Sequence, residues 1–212
     1  MNLTLHDYWR SGAGFRVRLA LALKGLDYDR VSHDLRTGEQ RDQAYRTIAP
    51  QGLVPSLEVD GQPISQSIAI MEWLDERFPT RPLLPAPDMD RAVVRSMCGL
   101  VACDIHPLKN LRILTYLRKQ AGFDATAQQA WIAHWVTEGF AALETLIKRH
   151  GNGFAFGMVP SMADCCIVPQ IYSARRFGVD LSAFPAILGV HDALLALPEI
   201  ASALPEAQSD AG

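Results

Sequence analysis

Ser11 stands just after an alternating strand pattern, Leu3-Thr4-Leu5-His6, and just before a helical run carrying Val17, Leu19, Ala20, Leu21 and Leu23. Its hydroxyl is therefore expected beside the unpaired backbone N–H groups of a helix start, which carry partial positive charge and attract anions. Taken alone, the segment reads first as a glycine-containing turn with an incidental serine or cap, and the functional reading needs support elsewhere. A dinucleotide loop is excluded, because Gly12-Ala13-Gly14 opens a G-x-G-x-x-G pattern but Val17 stands at the third glycine. A redox dithiol is excluded because the loop holds no cysteine.

Two more segments offer the same kind of chemistry. Val54-Pro55 precedes the strand pattern Ser56-Leu57-Glu58-Val59, where proline is tolerated because no ladder donor is required. Both isomers of that peptide bond are open at this point. Gln66-Ser67 begins a helical stretch; Ser67 suits an N-cap, and the same exposed donors can hold a carboxylate. Arg10, Arg112 and Arg176 supply planar guanidinium forks that match carboxylates, although each read singly is a solvated face, the reading kept for Arg175. His106 and Asn110 lie in Ile105-His106-Pro107-Leu108-Lys109-Asn110, and His106 alone reads as a helix-end or core histidine. The other histidines have no ligand spacing, so no metal is expected.

The elements that must position these residues change character along the chain. The first eighty residues alternate strand and helix, in the order βαβ then αββα. The spacing predicts strands at 3–6, 28–33 and 56–59, a hairpin through Asp60-Gly61 to 63–65, and helices ending near Lys24-Gly25, over 41–48 and from Ser67 to Phe78. Pro79, Pro82, Pro85 and Pro87 interrupt any continuous helix, so 1–80 reads as one unit, 81–87 as a linker and 88–212 as an all-helical unit. Helices are expected from Asp88 to about Gln120, Thr126 to His150, Ser161 to Phe177 and Pro185 to Leu195. Ser161-Met162-Ala163-Asp164 is a close relative of the capping box, with Val159 and Cys165 as its staple.

Composition narrows the classes further. Apolar residues make up 49% and charged residues 20% of 212, values of a globular chain, so little disorder is expected outside the C-terminal tail. The formal net charge of -3 argues against a nucleic-acid partner, and any anion site must be local. No apolar run approaches the roughly 20 residues of a membrane span, and the start lacks a signal-peptide core, so no membrane partner and a cytoplasmic location are expected. Cys98, Cys103, Cys165 and Cys166 form no C-x-x-C pair and are expected reduced and buried.

The run Tyr8-Trp9-Arg10-Ser11-Gly12-Ala13-Gly14-Phe15-Arg16-Val17-Arg18-Leu19-Ala20-Leu21 resembles the signature of zeta-class glutathione transferases. LVPSLEVDG, QSIAIMEWLDE, IHPLKNLRIL, SMADCCIVPQ and ARRFGVDLSAFP match further segments of that family in order, so the resemblance spans nearly the whole chain. It implies an α/β thioredoxin-like N-terminal domain, an all-α C-terminal domain, a homodimer, and glutathione as cofactor at the domain cleft. By that match Ser11 orients and stabilises the glutathione thiolate, helped by Gly12 and Ala13. The Val54 backbone, beside Pro55, pairs with the cysteinyl part, and Gln66 and Ser67 take the γ-glutamyl carboxylate. Gln40 sits near the glycyl end, and His106 and Asn110 belong to a segment that approaches glutathione. Gly12 and Ala13 depart from the second serine and the cysteine of many members.

The resemblance further implies reversible addition of the thiolate to a maleyl keto-diacid, with rotation about the resulting single bond giving cis-trans isomerisation. Arg10, Arg112 and Arg176 would meet the carboxylates and the developing enolate charge. The expected reaction is maleylpyruvate to fumarylpyruvate, with maleylacetoacetate to fumarylacetoacetate nearly as well supported. A conjugating transferase acting on electrophiles or haloacids, and a non-catalytic glutathione-binding protein, are the other readings.

Overall fold

Strand β1, Leu3–Asp7, is buried at every residue but Thr4, and a short loop leads from it into helix α1, Gly12–Lys24. The computed structural model describes residues 1–211, in two units. The first joins Met1–Leu83 to the described residues from Leu197 onward; the second is Leu84–Ala196. In the first unit, β2 (Asp29–Ser32), α2 (Gln43–Ile48), β3 (Ser56–Val59), β4 (Gln62–Ser65) and α3 (Ser67–Arg77) follow in the expected order. They build a four-stranded sheet in the order β2-β1-β3-β4. β1 runs parallel to β2 and antiparallel to β3, and β3 and β4 form the Asp60-Gly61 hairpin. This is the thioredoxin-like α/β arrangement, and the second unit is helical.

The core of the first unit is α1, buried on every side from Gly14 to Leu21, with α3 and the sheet: Leu5, Phe15, Val17, Leu19, Leu21, Leu57, Ile70, Met71 and Leu74 are all buried. Two cations are buried with them. Lys24 at the C-terminus of α1 donates to Asp75 and to the carbonyls of Phe78 and Arg81, each at 2.9 Å, tying the end of α1 to the end of α3. Arg18 is fully buried and pairs with Asp7, which is also fully buried. Its remaining donors reach the carbonyl of Ala203 at 2.9 Å and that of Trp9 at 2.8 Å.

The segment after Leu195 departs from expectation. Instead of a loose tail in the helical unit, the chain makes short 3-10 turns at Pro198–Ala203 and Pro205–Ala207 that belong to the first unit. Ile200 and Ala203 are buried, and Asp210 forms an ion pair with Arg30 at 2.6 Å. Turns of three to six residues leave no helical period in a sequence, so periodicity could not find them.

In the second unit the expected single helix from Asp88 to about Gln120 is broken. It forms α4 (Asp88–Gly99), a π-helical turn (Leu100–Ile105), a 3-10 turn (His106–Lys109) and α5 (Leu111–Gln120). Pro107 lacks the N–H that a continuous α-helix requires there. Asn110 restarts the chain as N-cap of α5, its Oδ1 accepting from Ile113 N–H at 3.1 Å. The π turn packs closely on α6 (Ala125–His150): a Cβ added to Gly139 would lie 2.3 Å from Ile105 Cγ1. α7 (Met162–Arg176) is buried along nearly its whole length, and α8 (Pro185–Leu195) follows. Glu144 of α6 accepts from the first N–H groups of α8, Ala186 and Ile187, at 3.0 Å each.

Two expectations about cysteines and capping need correction. Cys103 is exposed on the π turn, whereas the other three are buried; none of the four is in a disulfide. Val159 is 66% exposed and so is no staple over Cys165. The capping box itself forms. The Asp164 carboxylate accepts from Ser161 N–H and hydroxyl at 2.7 Å each and from Ala155 N–H at 2.8 Å. Burial raises its pKa to about 6, against the pull of those hydrogen bonds.

Asp164→Ala removes an acceptor shared by three buried donors and is expected to destabilise the protein by about 2–4 kcal/mol, measured by denaturant unfolding. Because folding raises the Asp164 pKa above its unfolded value, its contribution is fully present below that unfolded value and is lost as pH rises through about 6. Across that window the stability of wild type should fall with pH relative to Asp164→Asn. Parallel curves would show that the carboxyl does not titrate there.

Candidate active site

Strand register decides which loops share an end of the sheet. His6 pairs with Ser56, Ser56 with Ser65, and Asp7 with Ser32. Four stretches therefore emerge at the same end: the loop 8–11 after β1, the stretch from His33 after β2, Val54-Pro55 before β3, and Gln66-Ser67 after β4. Ser11, Gly12, Ala13, Gln40, Val54, Pro55, Gln66 and Ser67, spread over nearly sixty positions, are brought to one place. His106, Asn110, Arg112 and Arg176 lie in the second unit.

Ser11 is the N-cap of α1. Its hydroxyl oxygen accepts from Gly14 N–H at 3.1 Å, and its own N–H donates to the Tyr8 carbonyl at 2.8 Å. Since the oxygen serves as acceptor within the cap, the hydroxyl proton can be offered outward to an anion. Arg10 precedes it, its guanidinium 5.1 Å from the centre of the Trp9 ring, a cation–π stack that limits where the charge can go. Gly14 is required by close approach rather than by turn geometry. A Cβ there would stand 1.6 Å from Asp7 Oδ1, inside the carboxylate that holds Arg18.

The third helix begins differently from expectation. Ser67 is the first residue of α3, while Gln66 takes the cap position with φ 74° and its carbonyl accepts from Ile70 N–H at 2.9 Å. A residue other than glycine at positive φ is uncommon and marks a backbone held by its surroundings. Gln66 Nε2 donates to Gln51 Oε1 at 2.6 Å, and the Ser67 hydroxyl accepts from the buried Arg16 at 3.2 Å. A guanidinium thus stands behind Ser67 on α1, adding positive charge to a helix start already suited to a carboxylate.

Val54-Pro55 is cis. The loop before it is fastened by Tyr45 of α2, whose hydroxyl donates to the Leu53 carbonyl at 2.8 Å. Tyr45 in turn packs on His33, ring centres 4.2 Å apart, and His33 Nε2 lies 2.9 Å from His6 Nδ1. His6 Nε2 meets Glu58 at 2.5 Å. Burial first, and His6 second, hold the His33 pKa below the ordinary imidazole value. Gln40 is buried in the 3-10 turn Glu39–Arg41, and its Oε1 has no hydrogen-bond partner among the described residues. A buried amide oxygen without a donor is costly, which fits a position that a ligand donor completes.

In the second unit, Asn110 spends its Oδ1 on capping α5, which leaves its amide nitrogen for a ligand. Arg112 is exposed in the first turn of α5, and Arg176 is exposed at the C-terminus of α7, stacked 4.3 Å over the Phe177 ring. His106 opens the 3-10 turn before α5. Arg175, expected to be solvated, is exposed but meets His191 Nε2 at 3.0 Å. Arg16, Arg18, Gln51 and Asp210 were not singled out from the sequence. For the two arginines there was a signal: charges inside the apolar run Phe15–Leu23 must either face solvent or find partners.

Residues 11–77 match the family model described as glutathione S-transferase, N-terminal domain. The chain is 44% identical to a maleylpyruvate isomerase of Ralstonia sp over 211 residues, covering 98% of this chain and 99% of that protein. The solved holo structure of maleylpyruvate isomerase, a bacterial zeta-class glutathione S-transferase, superposes with TM-score 0.96 at 44% identity, covering 99% of this chain and all of that one. A maleylacetoacetate isomerase from Anaeromyxobacter dehalogenans 2CP-1, solved with GSH bound in its active site, gives TM-score 0.90 at 40% identity, covering 100% of this chain and 98% of that one.

Gly14→Ala is expected to lower stability by about 3 kcal/mol or more, since neither the buried Asp7 nor the α1 backbone has room to move. Thermal unfolding of purified variant and wild type tests this. A melting temperature within a degree or two of wild type would contradict the close approach.

Proposed function

The chain belongs to the zeta class of the glutathione transferase family, and from that membership we propose that it is a glutathione-dependent cis-trans isomerase of a maleyl keto-diacid. Maleylpyruvate, giving fumarylpyruvate, is the favoured substrate, with maleylacetoacetate, giving fumarylacetoacetate, the close second. The observation that carries the reading is the convergence of the Ser11 cap, the cis Val54-Pro55 turn and the strained Gln66-Ser67 helix start at one end of the sheet. The similarity to the Ralstonia isomerase over nearly the full length of both proteins supports it.

The residues present fit glutathione. Gln40 offers a buried unpartnered acceptor, and Gln66 and Ser67 offer the start of α3, backed by Arg16, to a carboxylate. Val54, beside Pro55, is assigned the peptide backbone of the cysteinyl part, and His106 and the Asn110 amide are assigned contacts from the helical unit. When bound, glutathione supplies a thiolate nucleophile that adds to the activated double bond and is released again after rotation.

The task of the chain is to favour the anion, because a free thiol with pKa about 8.5 is only a few per cent ionised at neutral pH. Ser11 donates a hydrogen bond from its hydroxyl to the thiolate sulfur, with the Gly12 and Ala13 peptides of the α1 start contributing their dipoles. Arg10, Arg112 and Arg176 neutralise the two carboxylates and the enolate charge that develops on addition. Arg112 favours the maleylpyruvate reading. We further assign the protein to the cytoplasm as a homodimer; among the described residues no helix is long and apolar enough to cross a membrane.

Isomerisation of both diacids, followed by the absorbance of product with and without glutathione, tests the proposal. Turnover is expected only with glutathione. Ser11→Ala should lower kcat by about 100-fold, the scale of losing one aligned donor to a developing or stabilised anion. Arg176→Ala should act mainly on the KM of the diacid, by about 10-fold. Glutathione binding without isomerisation of either diacid would sink the proposal and leave a conjugating transferase in its place.

A further inference from the structure

The peptide groups of Trp9 are held from two directions by parts of the chain far away in sequence. Arg18 Nη2 donates to the Trp9 carbonyl at 2.8 Å, while the Trp9 N–H donates to Asp210 Oδ2 at 3.2 Å, across 201 positions. Asp210 is itself fixed by Arg30 Nη1 at 2.6 Å and by the Ser32 hydroxyl, both on β2. Burial would raise the Asp210 carboxyl, but hydrogen bonds from Arg30, Ser32 and Trp9 overcome it and hold the pKa at about 2. The carboxylate is therefore charged throughout the working pH range. Trp9 also carries the stacked Arg10, and the turn from Tyr8 to Ser11 is closed by a single backbone hydrogen bond.

We propose that Asp210 is a positioning residue for thiol activation: by gripping the Trp9 peptide it sets the aim of the Ser11 hydroxyl and the seat of Arg10 without touching glutathione. The proposal rests on the assignment of Ser11 to the thiolate given above. The physical case is one of rigidity. The loop 8–11 is short and lies outside regular structure, so its conformation depends on what fixes its peptides, and a displacement of a few tenths of an ångström at a hydroxyl donor weakens its bond to an anion. The last turns of the chain thereby become part of the machinery at its beginning. Asp210 would otherwise be a tail anchor, whose loss lowers stability alone.

The test compares full-length wild type, Asp210→Ala and Asp210→Asn, with Asp164→Ala as a variant destabilised in the second unit. Ultraviolet absorbance of the thiolate, titrated with pH in the glutathione complex, gives the pKa of the bound thiol. Calorimetry gives glutathione affinity, and both are measured below the melting temperature of every variant. Asp210→Ala is expected to raise the bound thiol pKa by about one unit, a tenfold change in the ionisation constant. Asp210→Asn, which keeps an acceptor for Trp9 but loses charge towards Arg30, should shift it by a smaller amount, and Asp164→Ala should not shift it. A folded Asp210→Ala with the wild-type thiol pKa overturns the proposal, and if that variant does not fold, a wild-type value in Asp210→Asn does so. Equal shifts in Asp164→Ala and Asp210→Ala would also overturn it, by showing that general destabilisation moves the thiol. Wild type that binds glutathione without ionising it would remove the Ser11 assignment, and this proposal with it.

Discussion

The buried pair of Asp7 and Arg18 is the constraint to which the first unit is fitted. Taking two charges out of water costs several kcal/mol per ion, and their attraction offsets this only when the remaining donors are satisfied. Arg18 meets that condition by reaching the carbonyls of Trp9 and Ala203 as well as Asp7, so one guanidinium joins the end of β1, the loop that follows it and the C-terminal turns. Even so, burial pushes the Asp7 carboxyl up despite Arg18 and Arg30. Gly14 and Arg18 lie one helical turn apart on α1, on the same face, so the carboxylate that holds one excludes a side chain at the other.

Around that pair, topology does the rest. A β1 strand parallel to β2 and antiparallel to β3 gathers the ends of three loops and the starts of α1 and α3 at one edge. Two helix N-termini and the buried Arg16 concentrate positive potential there, in a chain whose net charge is -3. Positive potential of this kind, made of backbone dipoles and one hidden guanidinium, leaves little trace in bulk composition. The segments also brace one another, Tyr45 on Leu53, Gln51 on Gln66 and Arg16 on Ser67.

Much of this was legible in the sequence, and the failures have identifiable causes. The order of strands and helices in the first unit followed from periodicity and the Asp60-Gly61 turn, and Ser11 and the Ser161–Asp164 box followed from capping chemistry. The break of the long helix at Leu100–Lys109 did not, because π and 3-10 turns keep residues helical while changing their register, and Pro107 was the sole mark. Ser67 was displaced from the cap by one residue since Gln66, at positive φ, has no propensity that would predict it. Asp210, Ala203 and Gln51 act through long-range partners, and a single sequence holds no record of who meets whom. For Val54-Pro55 the motif located the turn, while the choice of isomer is a property of the fold around it.

The return of the last turns to the first unit has a consequence for how the protein is made. Domains commonly fold in order as the chain leaves the ribosome, the N-terminal one first. Here the first unit is interrupted by the whole of Leu84–Ala196, and the carbonyl that completes the hydrogen bonding of Arg18 belongs to Ala203. Until that residue has been translated and released from the exit tunnel, the nascent first unit has an uncovered α1 face, and Arg18 lacks the protein acceptor that Ala203 supplies. Synthesis thus delays completion of the first unit until the residues of the helical unit have already been translated.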